Sequence, residues 1–168
     1  MQMTTAEFNY LLQNLRDKDC FDKFYHECYP LIKKYSLYLY GRKSFVEDIA
    51  QDIFDYLFSH ESVPYVQSYR AWLFVLCKNN GNKYIDNNVV ALEENAPYTS
   101  FTEVYDCGEL NEILRILKPE DREIIELKDI IGFSLKEIAE IKGKSYFAVL
   151  QQHVRAKNKL KTKMSKKS

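Results

Sequence analysis

Glycine and proline are scarce, five and four in 168 residues. An all-β chain of this length would turn often and need more of both, so helices are expected, the more so because Leu, Ile, Lys, Glu and Tyr abound. No run of about eighteen apolar residues occurs, and the opening MQMTTAEFNY lacks the basic patch and apolar stretch of a signal peptide. A cytoplasmic protein without membrane insertion is therefore expected. C-x-x-C pairs are missing, and Cys20, Cys28, Cys77 and Cys107 have no closely spaced His partner of the zinc-finger type. Cys20, His26 and Cys28 come nearest to a metal set, but without ligand spacing reduced thiols are the expectation, with no metal and no cofactor. G-x-S-x-G, a phosphate-binding glycine loop, H-E-x-x-H and the zinc-deaminase pattern are also lacking. Asp48 and Asp52 are neighbouring carboxylates, but no His or third acid follows at useful spacing. Enzymatic activity is not expected.

The hydrophobic share of 46% is that of a chain that folds, and its length suits one ordinary core or two small ones. The formal net charge of zero hides an asymmetry. After Glu140 the chain carries nine lysines and arginines and no acid, so everything before that stretch is correspondingly acidic. An acidic body with a basic tail suggests two partners of different charge, a basic protein surface and a polyanion; a merely solvated tail is the plainer alternative.

Hydrophobic spacing sets out a series of helices. Thr4 and Glu7 have capping-box spacing, and Phe8, Leu11, Leu12 and Leu15 follow as an apolar stripe. A second stripe runs from about Asp19 to Tyr40 through Pro30, a residue that kinks or divides a helix, and stops at Gly41. Ser44 and Glu47 suggest another capping box before Phe45, Ile49, Ile53, Phe54, Leu57 and Phe58. A further helix is expected from about Gln67 to Ile85. Residues 88–106 lose the stripe and collect polar residues with Pro97, which suggests a linker between two domains, 1–87 and 107–168. Helical spacing resumes over Glu109 to Leu117, and Pro119 starts a new helix. Gly132, a Ser134/Glu137 capping box, Gly143 and Ser145 then describe two helices separated by a tight turn, the pattern of a helix-turn-helix with Ile138, Ala139 and Val149 in its core.

The stretch GFSLKEIAEIKGKSYFAVLQQHVRAKNKLK resembles the C-terminal helix-turn-helix of sigma factors, in Gly132, Ser134, Glu137, Ile138, Ala139, Gly143, Ser145, Val149, Arg155, Ala156 and Leu160. LKPEDREIIEL resembles the entry helices of that domain, VEDIAQDIF the polymerase-binding helix of sigma region two, and YRAWLFVLCKNN its promoter-melting helix. The short length with one linker is similar to the extracytoplasmic-function (ECF) subgroup of the sigma-70 family. This resemblance implies an all-α chain of two small helical domains, a region-two bundle and a region-four helix-turn-helix, joined by a flexible linker. It implies binding to core RNA polymerase and promoter DNA, and in this subgroup often to an anti-sigma factor. A stand-alone helix-turn-helix regulator that does not bind polymerase is the alternative.

The resemblance implies that Glu47, Asp48, Gln51 and Asp52 dock on polymerase. For a separated promoter strand, Tyr65, Tyr69, Arg70, Trp72, Lys78, Asn79 and Lys83 supply the rings and cations that capture single-stranded bases, although core packing is the favoured role of Trp72. For the upstream element, the helix opening at Ser145 is expected in the major groove. Tyr146 and Phe147 are candidates for thymine methyls or for packing, Gln151 and Gln152 suit adenine, and Arg155, Lys157 and Lys159 lie nearer phosphates.

Overall fold

The computed structural model describes residues 2–41, 43–88 and 108–167, and the chain divides into two compact units, Met1–Phe101 and Thr102–Ser168. The expected linker lies almost wholly outside the described residues, as does Cys107. Every regular element among those described is helical.

Unit 1 is built from α1 (Thr5–Gln13), α2 (Lys18–Tyr40), α3 (Lys43–Ser59) and α4 (Tyr69–Asn88). Helices α2, α3 and α4 pack on one another in all three pairings, and α1 lies on α2. Thr4 caps α1 by accepting from the Glu7 N–H at 3.2 Å. The Glu7 carboxylate also pairs with Lys23 of α2. Asp17 caps α2 through the Cys20 N–H, and Gly41 ends it at φ 63°, in the left-handed region that glycine enters without strain. Pro30 does not divide α2. It sits exposed within one continuous helix. Ser44 is not the N-cap of α3, since the helix already includes Lys43.

Phe8 of α1 is fully buried and meets the rings of Phe24 (5.4 Å), Tyr69 (5.0 Å) and Trp72 (5.9 Å), so one side chain joins α1, α2 and α4. Asn9 is also buried. Its amide and carbonyl bond the Val66 C=O and N–H, both at 2.8 Å, which satisfies a loop backbone that would otherwise be buried without partners. That contact anchors the segment leading into α4. Within α4, Gly81 gives way to the Tyr40 ring, where a Cβ would fall 2.0 Å from a ring carbon.

Unit 2 contains α5 (Gly108–Leu114), α6 (Pro119–Ile125), a π-helical turn (Glu126–Ile131), α7 (Leu135–Lys142) and α8 (Tyr146–Lys167). Pro119 opens α6, where its missing N–H costs nothing. The Ser134/Glu137 capping box is fully formed on α7, and Gly143 ends α7 at φ 62°. Ser145 caps α8 by accepting from the Ala148 N–H at 3.2 Å. Ile138 and Val149 are fully buried where α7 and α8 cross, and Leu114, Leu117, Ile125 and Ala156 form a core cluster on which Leu160 packs. The π-helical turn was not foreshadowed by the periodicity. It carries Asp129 to the flank of α8.

Candidate nucleic-acid and protein interfaces

Helix α3 buries Val46, Ile49, Ala50, Ile53 and Leu57 against its neighbours and leaves its acidic side outward. Glu47, Asp48, Gln51 and Asp55 are exposed and Asp52 is half-buried. Two tyrosines that sequence reasoning passed over reach this side. The Tyr29 hydroxyl of α2 donates to Glu47 Oε1, and the Tyr84 hydroxyl of α4 donates to Asp52 Oδ2 at 2.7 Å. The hydrogen bond to Glu47, aided by burial, pushes the Tyr29 hydroxyl up to about 12. Burial and then the Asp52 bond push Tyr84 up as well.

The residues expected at a separated strand are only partly brought together. Tyr65 stands exposed before α4. Trp72, Asn79 and Lys83 follow one side of α4, seven and four residues apart, with Trp72 half-buried against Phe8. Lys83 donates to Asn80 at 3.2 Å. Arg70, half-buried, and Lys78, exposed, lie on other sides of the helix. Tyr69 faces inward. It is buried and stacked on Phe8, so its ring belongs to the core of unit 1.

On α8, Tyr146 and Phe147 are exposed at the first turn and meet edge to face at 5.9 Å. Phe147, Gln151, Val154 and Asn158 form one outward stripe, with Arg155 beside it. Gln152 does not join them. It is buried, and its amide donates to Asp121 of α6 at 3.0 Å. The expectation that Gln152 reads adenine beside Gln151 does not fit this placement, because Val149, Ala156 and Leu160 set the inward side of α8 and Gln152 lies at its edge.

Two carboxylates brace the flanks of α8. Asp121 also accepts from Lys159 at 3.0 Å, while Asp129 meets His153 at 3.3 Å and Lys157 at 3.4 Å. Both lysines remain about half exposed, so these surface pairs yield readily to a competing anion. Burial pushes the Asp121 carboxyl up, but the Gln152 and Lys159 hydrogen bonds and the charges of Lys159 and Arg155 outweigh it, leaving the group below its ordinary value. A depressed folded pKa contributes stability above the unfolded value that is lost as pH falls through the folded one. Unit 2 is accordingly expected to lose stability below about pH 4, where carboxylates protonate. Denaturation of wild type and Asp121→Asn across pH 2 to 6 checks this. The variant should show a flatter profile, and an unchanged slope would contradict the role given to Asp121.

The cysteines offer no metal site among the described residues, where no group of three or more His, Cys, Asp or Glu gathers. Cys28 and Cys77 are buried, and burial pushes both thiols up, Cys77 to about 12. No helix among the described residues is long and apolar enough to cross a membrane.

Residues 107–160 match the family model described as sigma-70, region 4, which spans the helix-turn-helix and most of α8. The chain carries a sigma-70 region 4 domain. Most of its length is also similar to two solved structures. One is CnrH in complex with the cytosolic domain of CnrY, at 20% identity and TM-score 0.62 over 98% of each chain. The other is the sigma factor RpoE in complex with the anti-sigma factor NepR from Bartonella quintana, at 24% identity and TM-score 0.54 over 89% of this chain and 98% of that one. The two-domain all-helical fold is therefore shared with a sigma factor. No curated protein matches the sequence.

Proposed function

We propose that this chain is a sigma factor of the ECF subgroup. It binds core RNA polymerase, directs it to particular promoters and has no catalysis of its own. The observation that carries the reading is a region 4 domain at residues 107–160 within a chain that shares the fold of a sigma factor over most of its length. The acidic side of α3, centred on Asp48, Gln51 and Asp52, meets a basic surface of polymerase, where charge complementarity sets association rate and register more than raw affinity. Tyr65, Asn79 and Lys83 take the separated strand by stacking and charge, beside the Trp72 ring seated against Phe8. An anti-sigma factor is a further partner, supported by the complex in which RpoE was solved.

Upstream, the opening turns of α8 enter the major groove. Gln151 stands outward to pair with adenine and Phe147 to meet thymine methyls. Lys157 and Lys159 exchange Asp129 and Asp121 for phosphates, and Arg155 joins them. Gln151→Ala should then alter which promoters are used. Lys157→Ala should weaken all of them alike and reduce the salt slope of binding by about one. Holoenzyme binding to a promoter panel at several salt concentrations checks this division; equal losses on every promoter from both changes would refute it.

Co-elution of the purified protein with sigma-free core polymerase tests the function as a whole. Stable association is expected. Failure of the folded protein to bind core, with duplex DNA binding retained, would instead identify a stand-alone regulator.

A further inference from the structure

The acidic side of α3 ends on both flanks in a carboxylate gripped by a tyrosine of a neighbouring helix. Glu47 and Asp52 are five residues apart, which at 3.6 residues per turn sets them about 140° apart around the helix. Gln51, Asp55 and Asp48 fall between them. Tyr29 reaches Glu47 from α2, and Tyr84 reaches Asp52 from α4. Each ring is itself seated. Tyr29 stacks on Tyr25 at 5.2 Å, and Tyr84 on Phe45 at 5.8 Å.

A hydroxyl bonded to a carboxylate near the surface adds little net stability, because water would satisfy both groups. Its effect is on order. A carboxylate seized by a partner loses rotamer freedom on binding, and one already fixed has less to lose. An ionised carboxylate has about four lone-pair sites, so a tyrosine occupying one leaves the others for an incoming guanidinium or ammonium.

We propose that Tyr29 and Tyr84 are positioning residues for the docking face of α3, each fixing an edge carboxylate in the orientation that a basic partner surface engages. This rests on the proposal that α3 is the surface that meets core polymerase. Asp48 and Gln51, outward between the two edges, complete the face, and the tyrosines fix its width rather than its charge.

The test measures the affinity of the full chain for core polymerase in wild type, Tyr29→Phe, Tyr84→Phe, Asp52→Asn and the Tyr84→Phe, Asp52→Asn pair, with melting temperature followed in each. Each Tyr→Phe change should weaken binding about threefold to tenfold. Tyr84→Phe should add nothing once Asp52 is Asn, since the hydroxyl acts through that carboxylate. A merely structural tyrosine would lower the melting temperature without this coupling. Wild-type affinity in both Tyr→Phe variants, or equal losses from Tyr84→Phe in both backgrounds, would overturn the positioning role. Should Asp48→Ala with Asp52→Ala leave binding intact, the docking assignment falls, and the positioning role with it.

Discussion

Phe8→Ala is expected to destabilise unit 1 by about 3–5 kcal/mol, the usual cost of emptying a fully enclosed phenylalanine site. The ring is fully buried and touches the rings of Phe24, Tyr69 and Trp72, so the cavity would open at the junction of three helices. None of those aromatic neighbours can swing in to fill it without abandoning its own packing. Domains of this size have stabilities of about 5–15 kcal/mol, so a loss this large removes much of the margin. Tyr10 is the control on the same helix. It is 63% exposed, and Tyr10→Ala should stay within about 0.5 kcal/mol. Chemical denaturation followed by circular dichroism reads both, and similar losses would mean that α1 is not part of the core.

The second large effect concerns function with the fold preserved. Asp48→Ala combined with Asp52→Ala should reduce affinity for core polymerase by more than about tenfold, since truncating charges paired at an interface typically costs 2–5 kcal/mol. Asp48 is exposed and Asp52 contributes only a carboxylate to the Tyr84 hydroxyl, so the buried side of α3 stays intact. The remaining binding should depend less on salt than that of wild type, because fewer charges are screened. Titration of labelled protein with core polymerase at two ionic strengths measures both quantities. Unchanged affinity with unchanged melting would show that another surface does the docking.

These expectations depend on features that differ in how far the sequence displays them. The helix-turn-helix was legible because its stops and starts are local: Gly132, the Ser134/Glu137 box, Gly143 and the Ser145 cap each act within a few residues. The apolar stripes of α1 to α3 were legible for the same reason, since one face of a helix repeats in sequence. Ser44 misled because capping spacing also occurs inside helices, where Glu47 has a distant partner in Tyr29. Gln152 misled because a polar side chain next to other polar residues suggests solvent, whereas its partner Asp121 comes from another helix. The tyrosine clamps on α3 arise from pairings 18 and 32 residues apart, which no local pattern encodes. Tyr69 looks in the sequence like a stacking platform but lies buried against Phe8, because aromatic composition alone does not distinguish a stacking platform from a core ring.

The central claim is that this chain gives core polymerase promoter specificity, and transcription in vitro tests it most directly. Purified protein added to sigma-free core polymerase on genomic DNA, with the 5′ ends of transcripts mapped, should produce discrete starts that share upstream and downstream sequence elements. Transcripts no different from those of core polymerase alone, made with protein shown to be folded, would contradict it.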